Sequence, residues 1–154
     1  MITIEFEPDY KHIISKRSIT SIVHLAFAKF NMITAPDLTI VLTTDEVIQQ
    51  LNAQYRGFDK PTDVLSFESG EINPETGIPY LGDIVISVPT ASRQAHLAGH
   101  PIQNEIQLLV IHGLLHLFGY DHDTPAKKEQ MWSLQSQFLQ QNGILINQLP
   151  DGDE

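Results

Sequence analysis

Residues 106–123 read IQLLVIHGLLHLFGYDHD, three histidines set into a segment that is otherwise largely apolar. Ile106, Leu108, Leu109, Val110, Ile111, Leu114, Leu115, Leu117 and Phe118 cover nearly every direction around a helix. Residues 101–118 are therefore expected to form a central, buried helix, with Pro101 in its first turn. His112 and His116 are four residues apart, about 40° round an α-helix, so their rings leave one face a single turn apart. Gly119 can take positive φ just past the helix and turn the chain so that His122 comes back towards them. A lone histidine is usually a satisfied core or surface residue. Two imidazoles buried on an apolar helix without partners, however, would cost on the order of 1–3 kcal/mol each. A shared ion removes that cost. Three converging imidazoles suit a tetrahedral Zn2+ whose fourth position is left for water, the pattern of catalytic rather than structural zinc. Asp121 and Asp123 either orient imidazole N–H groups or cap the following turn.

The rest of the chain is consistent with a single domain. Its 154 residues are 42% hydrophobic, enough to bury one sizeable core. There is no cysteine, which excludes disulfides and thiolate metal sites and fits a cytoplasmic protein. No signal-like opening and no apolar run of the ~20 residues needed to span a bilayer occurs, so no membrane partner is expected. Nine Lys and Arg against nineteen Asp and Glu give a net charge of −10, which excludes a protein that coats nucleic acid non-specifically. Any polyanion must be held locally.

Alternation of Ile2, Ile4 and Phe6 predicts a first strand, and an i, i+3, i+4, i+7 stripe from Ile19 to Phe30 predicts a helix over 16–32. LTIVL after Pro36 reads as a second strand. Thr43 with Glu46 has the spacing of a capping box for the next helix. DVLSF and LGDIVISV are two more strands, joined by the polar stretch ESGEINPETGIPY, a flap or a mobile connection. Thr90 is a candidate cap for an alanine-rich helix that stops at Gly99, and Thr124–Pro125 opens a last helix that carries Met131, Leu134 and Phe138 and ends near Gly143. The single domain is expected over 1–147, with 148–154 a disordered acidic tail. His12, His96 and His100 have no comparable spacing and read as ordinary, and His24 falls off the apolar stripe of its helix and reads as solvated.

The pattern H-x-x-x-H-x-x-G-x-x-H matches the metzincin zinc proteases except that Gly113 stands where those carry the general-base Glu. Glu105 is two turns, about 10 Å, from His112 and reads as a helix-face carboxylate. HGLLHLFGYDH instead resembles the hallmark of the YbeY endoribonucleases, a family of bacterial-type rRNA maturation factors. LNAQYRGFDKPTDVLSFES is similar to that family's N-x-x-Y-R-x-x-D-x-P-T-D-V-L-S-F segment and LGDIVIS to its G-D-I-x-I-S strand. A departure is Glu68 where many members have Pro. The resemblance implies an α+β single domain, a small mixed β-sheet packed with several helices around a central apolar helix carrying the metal-binding histidines. It also implies a metal on His112, His116 and His122, and single-strand-selective RNA cleavage tied to 16S rRNA maturation and ribosome quality control.

Beside that implication, Arg56 lies where a helix ends and the turn DKPTD begins, a place from which its planar fork can hold a phosphodiester. An ordinary ion-paired arginine is the plain alternative. Asp59 and Asp63 read as turn-makers, Gly82 and Asp83 as strand-shaping, and Lys11, Lys16, Arg17 and Lys60 as solvated charges, with phosphate contact the alternative. The expected chemistry is phosphodiester hydrolysis assisted by one ion, zinc or another divalent metal, with Arg56 stabilising the developing charge. Expected partners are single-stranded RNA, 16S rRNA, and small-subunit ribosomal particles or their proteins. The competing readings are a metallo-hydrolase of another bond and a ribosome assembly factor whose metal is structural.

Overall fold

Period-two patterning, β-branched runs and well-placed caps divide the chain into nine main elements in the computed structural model, which describes residues 1–146. In order these are β1 (Ile2–Phe6), α1 (Lys16–Lys29), β2 (Asp37–Thr43), α2 (Asp45–Arg56), β3 (Val64–Glu68), β4 (Tyr80–Ser87), α3 (Val88–Ala98), α4 (Ile102–Leu117) and α5 (Pro125–Gln141). The expected boundary at 147 and the tail at 148–154 lie outside the described residues. The strands form one mixed sheet in the order β1-β2-β4-β3. β1, β2 and β4 run parallel and β3 is antiparallel to β4. This is a single-domain α+β fold, as expected.

Alternation sorts the sheet's two faces. Ile4, Leu38, Ile40, Leu42, Val64, Ile84 and Ile86 meet the apolar residues of α1 and α4. On the opposite face, Val41, Leu65, Phe67 and Val85 pack with Ile48 and Leu51 of α2. α4 touches α1, α3, α5, β3 and β4, so an all-round apolar helix finds apolar surface in every direction.

Two caps differ from expectation by a short shift. The residue that caps α2 is Thr44, whose hydroxyl oxygen accepts from the Val47 N–H at 3.3 Å. Thr43 ends β2, and its hydroxyl donates to Glu7 Oε1 at 3.4 Å. With Val47 at the third helical position there is no capping box. Ser87, not Thr90, caps α3, accepting from the Thr90 N–H at 3.3 Å. Both hydroxyls, of Ser87 and Thr90, donate instead to Asp45 Oδ1 at 2.5 and 2.6 Å, and Arg93 reaches Asp45 Oδ2 at 2.9 Å. Burial opposes ionisation of Asp45, but those three donors outweigh it and hold the carboxyl below its usual range. The starts of α2 and α3 are thereby tied together. α1 ends at Lys29, short of Met32, because Asn31 takes a left-handed φ of 57°. Pro101 sits at the cap of α4 rather than inside its first turn. Thr124 caps α5 as expected, accepting from the Lys127 N–H at 3.2 Å. The polar stretch between β3 and β4 is an extended hairpin pinned by an Ile72–Pro79 bridge.

Close approach of α4 to the sheet depends on Gly113. A Cβ there would lie 2.8 Å from Ile84 Cγ2 and 3.1 Å from Ser66 Oγ, and that hydroxyl donates to the Gly113 carbonyl at 3.1 Å. Ile84 is β-branched and fully buried, so it cannot swing aside cheaply. Gly113→Ala gains about 1 kcal/mol of helix propensity but overpacks this contact by roughly 1–3 kcal/mol. We expect net destabilisation in chemical denaturation, and a variant as stable as the parent would show that α4 has room to back away from the sheet.

Candidate metal centre

The end of α4 is built to turn the chain back sharply. Gly119 has a φ of 100°, its N–H bonds the His116 carbonyl at 3.0 Å, and the Tyr120 N–H bonds the Leu115 carbonyl at 2.9 Å. This paired closure is a Schellman turn, which a glycine in the left-handed region makes without strain. Asp121 Oδ1 then accepts from the His122 backbone N–H at 2.7 Å, and Asp123 pairs with Lys127 at 3.4 Å on the surface. In that contact Asp121 shapes the turn, the second of the two roles open to it, whereas Asp123 makes a surface ion pair. Ring centroids of His112, His116 and His122 fall 4.8, 5.0 and 5.8 Å apart, and one ligand atom from each lies within 4.8 Å of the others. The structure therefore brings the three expected histidines together, and among the described residues they are the one cluster of this kind.

Two further side chains frame the cluster. Gln135 of α5, fully buried, places Oε1 2.8 Å from His112 Nδ1. An amide oxygen only accepts, so Nδ1 carries the proton and Nε2 is the ring's lone-pair nitrogen. Trp132, one helical position from the apolar stripe, stands edge-on to His112 at 5.3 Å and to His122 at 5.4 Å. Neither residue is apparent from the spacing of the histidines. The signal for Gln135 was a lone amide between Met131 and Phe138 on the face of α5 that turns inwards. Nε2 of His116 is buried and has no hydrogen-bond partner among the described residues. A divalent ion fits such a donor set: neutral imidazoles at ligating separation, one of them with its tautomer set by a fixed acceptor.

Electrostatics favour the same state. Burial, against the bond to Gln135, pushes His112 down from an ordinary 6.5 to about 4. Burial, followed by the neighbouring His112 and His122, pushes His116 down to about 4. Both rings are therefore neutral, as ligation requires, throughout the physiological range.

Arg56 is the last residue of α2. Its Nη1 donates to Asn52 Oδ1 at 3.3 Å and its guanidinium lies 5.2 Å from the Phe58 ring centroid. Asn52 is fully buried and its amide donates to the Lys60 carbonyl at 2.9 Å, so one side chain holds both the arginine and the turn after it. Arg56 and His116 face a common open cleft of about 480 Å³, whose walls include Tyr55, Ser66, Phe67 and Asp121. Glu68, the departure from the family pattern, remains in register as the end of β3 opposite Gly82 and also lines the cleft. Gly82 shapes the strand: with a φ of 147°, a Cβ there would collide with the Phe67 carbonyl at 2.2 Å.

Some residues do not behave as their sequence reading suggested. His100 is not ordinary, nor is Glu105 a helix-face carboxylate. Both are buried, with His100 Nε2 and Glu105 Oε1 2.6 Å apart. Asp63 makes a turn as expected, accepting from the Val64 N–H at 2.8 Å, but it is also buried and bonded by Gln94 at 3.3 Å. Gly113 faces Ile84 and Ser66, so the position where metzincins carry their base points into the sheet and not towards the cleft.

The chain matches the family model described as Endoribonuclease YbeY over residues 4–143. It is similar to the protein of that name from Shouchella clausii, 37% identical over 155 residues that span 94% of this chain and 97% of the relative. The one from Persephonella marina is 49% identical over 105 residues, 68% of this chain and 69% of its own. The fold is similar to the solution structure of a Thermotoga maritima protein, with a TM-score of 0.59 and 25% identity, covering 91% of this chain and 87% of that one.

Gln135→Leu keeps the buried volume and deletes the acceptor on His112 Nδ1. We expect metal affinity to fall by roughly tenfold to a hundredfold, and isothermal titration that finds parental affinity would detach Gln135 from the site. The pH response of the metal-free protein follows from the two depressed histidines. Its unfolded chain takes up those protons as pH falls through about 6.5, whereas the folded chain takes them up only near 4. Stability from these groups is whole above the first value and lost as pH falls to the second. Thermal melts should therefore decline across that window, and less so in a His112→Leu/His116→Leu variant. Equal slopes in parent and variant would contradict the assignment.

Proposed function

The chain belongs to the YbeY endoribonuclease family, and from that premise we propose that it is a metal-dependent phosphodiester hydrolase selective for single-stranded RNA. In this reading His112, His116 and His122 hold one ion and Arg56 is the catalytic side chain. RNA is the substrate the family name carries, and rRNA processing is the role of the family. The single observation behind the site assignment is convergence: His116 at the end of α4 and Arg56 at the end of α2 line one cleft.

A zinc ion bound there supplies Lewis acidity towards a phosphoryl oxygen and acidifies water at neutral pH. Everything else falls to the chain's own groups. Gln135 fixes the tautomer and orientation of His112. Arg56 presents a planar pair of N–H donors, a shape suited to two non-bridging phosphate oxygens as charge builds in the transition state. Asn52 and Phe58 steady that guanidinium, so little side-chain freedom is lost on binding. In a chain of net charge −10, this local cation does what a basic surface does elsewhere, and affinity for naked RNA is expected to be modest.

We further propose maturation of 16S rRNA on small-subunit ribosomal particles as the cellular task, in the cytoplasm, with residues 1–147 as the catalytic domain. Among the described residues no helix is long and apolar enough to cross a membrane. The net charge of −10 supports recognition through fitted local contacts over capture of RNA by charge alone.

Purified protein on single-stranded RNA tests this reading: a chelator should abolish cleavage and zinc should restore it. Full metal occupancy without cleavage would leave the assembly-factor reading instead. Arg56→Lys keeps the charge and loses the fork. Turnover should fall by roughly tenfold to a thousandfold, with parental metal content and melting temperature. Unchanged turnover in both Arg56→Lys and Arg56→Ala removes the arginine from the mechanism, and metal lost from Arg56→Ala makes it a support of the site.

A further inference from the structure

Beside the metal cleft lies a second one, of about 640 Å³, on the sheet face away from α4. The residues common to the walls of both are Tyr55, Phe67 and Glu68. Tyr55 is 61% exposed, unusual for a large ring that has apolar neighbours within reach. Phe67 stands edge-on to it at 5.2 Å and 67°, so the phenol ring is held in place while leaving surface open to solvent. Its chain neighbour Arg56 lines only the metal side. The second cleft is walled by Val41, Leu51 and Val85, with Asp83 and Glu5 among its polar groups. Asp83 accepts from the Tyr80 hydroxyl, which also bonds Thr39 at 2.6 Å.

We propose that the Tyr55–Phe67 ledge is a nucleobase subsite, in which one unpaired base next to the scissile phosphate stacks on Tyr55 and enters the second cleft. This inference rests on the reading of the metal cleft as the RNA-cleaving site. Two features select the base over the backbone. The aromatic and aliphatic walls suit a flat π-surface, and stacking of this kind tolerates any base. The carboxylates of Glu5 and Asp83, which line only the second cleft, repel phosphate but accept hydrogen bonds from exocyclic amino groups. A base held in a duplex cannot leave its partner without the cost of unstacking and unpairing. The ledge thus gives a physical reason for single-strand selectivity that neither the histidines nor Arg56 supplies.

Steady-state kinetics of the zinc-loaded protein on a short single-stranded RNA cut at one position tests the subsite. Tyr55→Ala should lower kcat/KM roughly tenfold, mainly through KM, as loss of one stacked base predicts. Tyr55→Phe, which keeps the ring, should restore it. Metal content and melting temperature should match the parent in both. Substrates made abasic at single positions around the cut supply the second arm. One of them should cost the parent a similar factor and cost Tyr55→Ala nothing more, since each change removes the same contact. The inference is overturned by an unaffected Tyr55→Ala, by Tyr55→Phe as poor as Ala, by metal loss in Tyr55→Ala, or by penalties that multiply at every abasic position. A parent protein that leaves all single-stranded RNA intact would instead overturn the catalytic reading beneath it.

Discussion

A helix buried on every side can serve chemistry only at its ends, and that constraint shapes most of this molecule. α4 is surrounded by α1, α3, α5 and two strands, so its flanks must be apolar and its backbone must approach the sheet closely. Gly113 allows the approach. One residue earlier and three later, the same helix carries imidazoles that burial makes costly. Their cost is met by convergence: the turn at Gly119 returns His122, α5 crosses to place Gln135 against His112, and Trp132 closes the edges of two rings. Candidate metal ligands placed by a packed helix and a fixed turn, rather than by a long loop, are positioned by the fold itself.

The features legible in the sequence were those with a period or a forced conformation. The strands announced themselves by alternation, α4 by its apolar girth, the ends of α3 and α4 by Gly99 and Gly119, and the histidine triad by a four-residue step followed by a turn. Less legible were choices between adjacent residues of equal chemistry. Thr43 and Thr44 are both threonines before an acidic pair, and only the length of β2, set by pairing with β4 through Ser87, decides which one caps. Ser87 and Thr90 posed the same ambiguity, settled by where β4 ends.

Contacts between elements distant in sequence left no periodic trace. Gln135 meets His112 across 23 positions, and a polar residue on the inner face of α5 announces a buried partner without naming it. His100 and Glu105 stand five apart across a break between helices, where no helical rule relates them. The cleft itself joins the end of α2 to the end of α4, so Arg56 could be singled out by family pattern and by its place before a turn, but not by its proximity to His116. The role of Tyr55 is less visible still, because an exposed aromatic gains meaning only from the two cavities that meet beneath it.

The distribution of charge along α4 bears on why a cation would be favoured at one end of it. The helix dipole leaves its N-terminus partly positive and its C-terminus partly negative. Glu105 lies in the first turn, where an anion is favoured, yet burial raises its carboxyl above the ordinary range and His100 opposes that rise. The contact with His100 at 2.6 Å gives the buried carboxyl a hydrogen-bonding partner in the core. At the other end the helix dipole presents its partly negative pole, and a divalent cation held by His112, His116 and His122 would gain from that field instead of working against it. Asp63 adds to the same polarity, since its buried carboxylate favours positive charge at His112 and disfavours negative charge at Glu105. A candidate cation site at the C-terminal end and a buried acid raised above its ordinary range at the N-terminal end are therefore one electrostatic arrangement. Exchanging the two would set a cation against the positive pole of the helix and an acid against its negative pole.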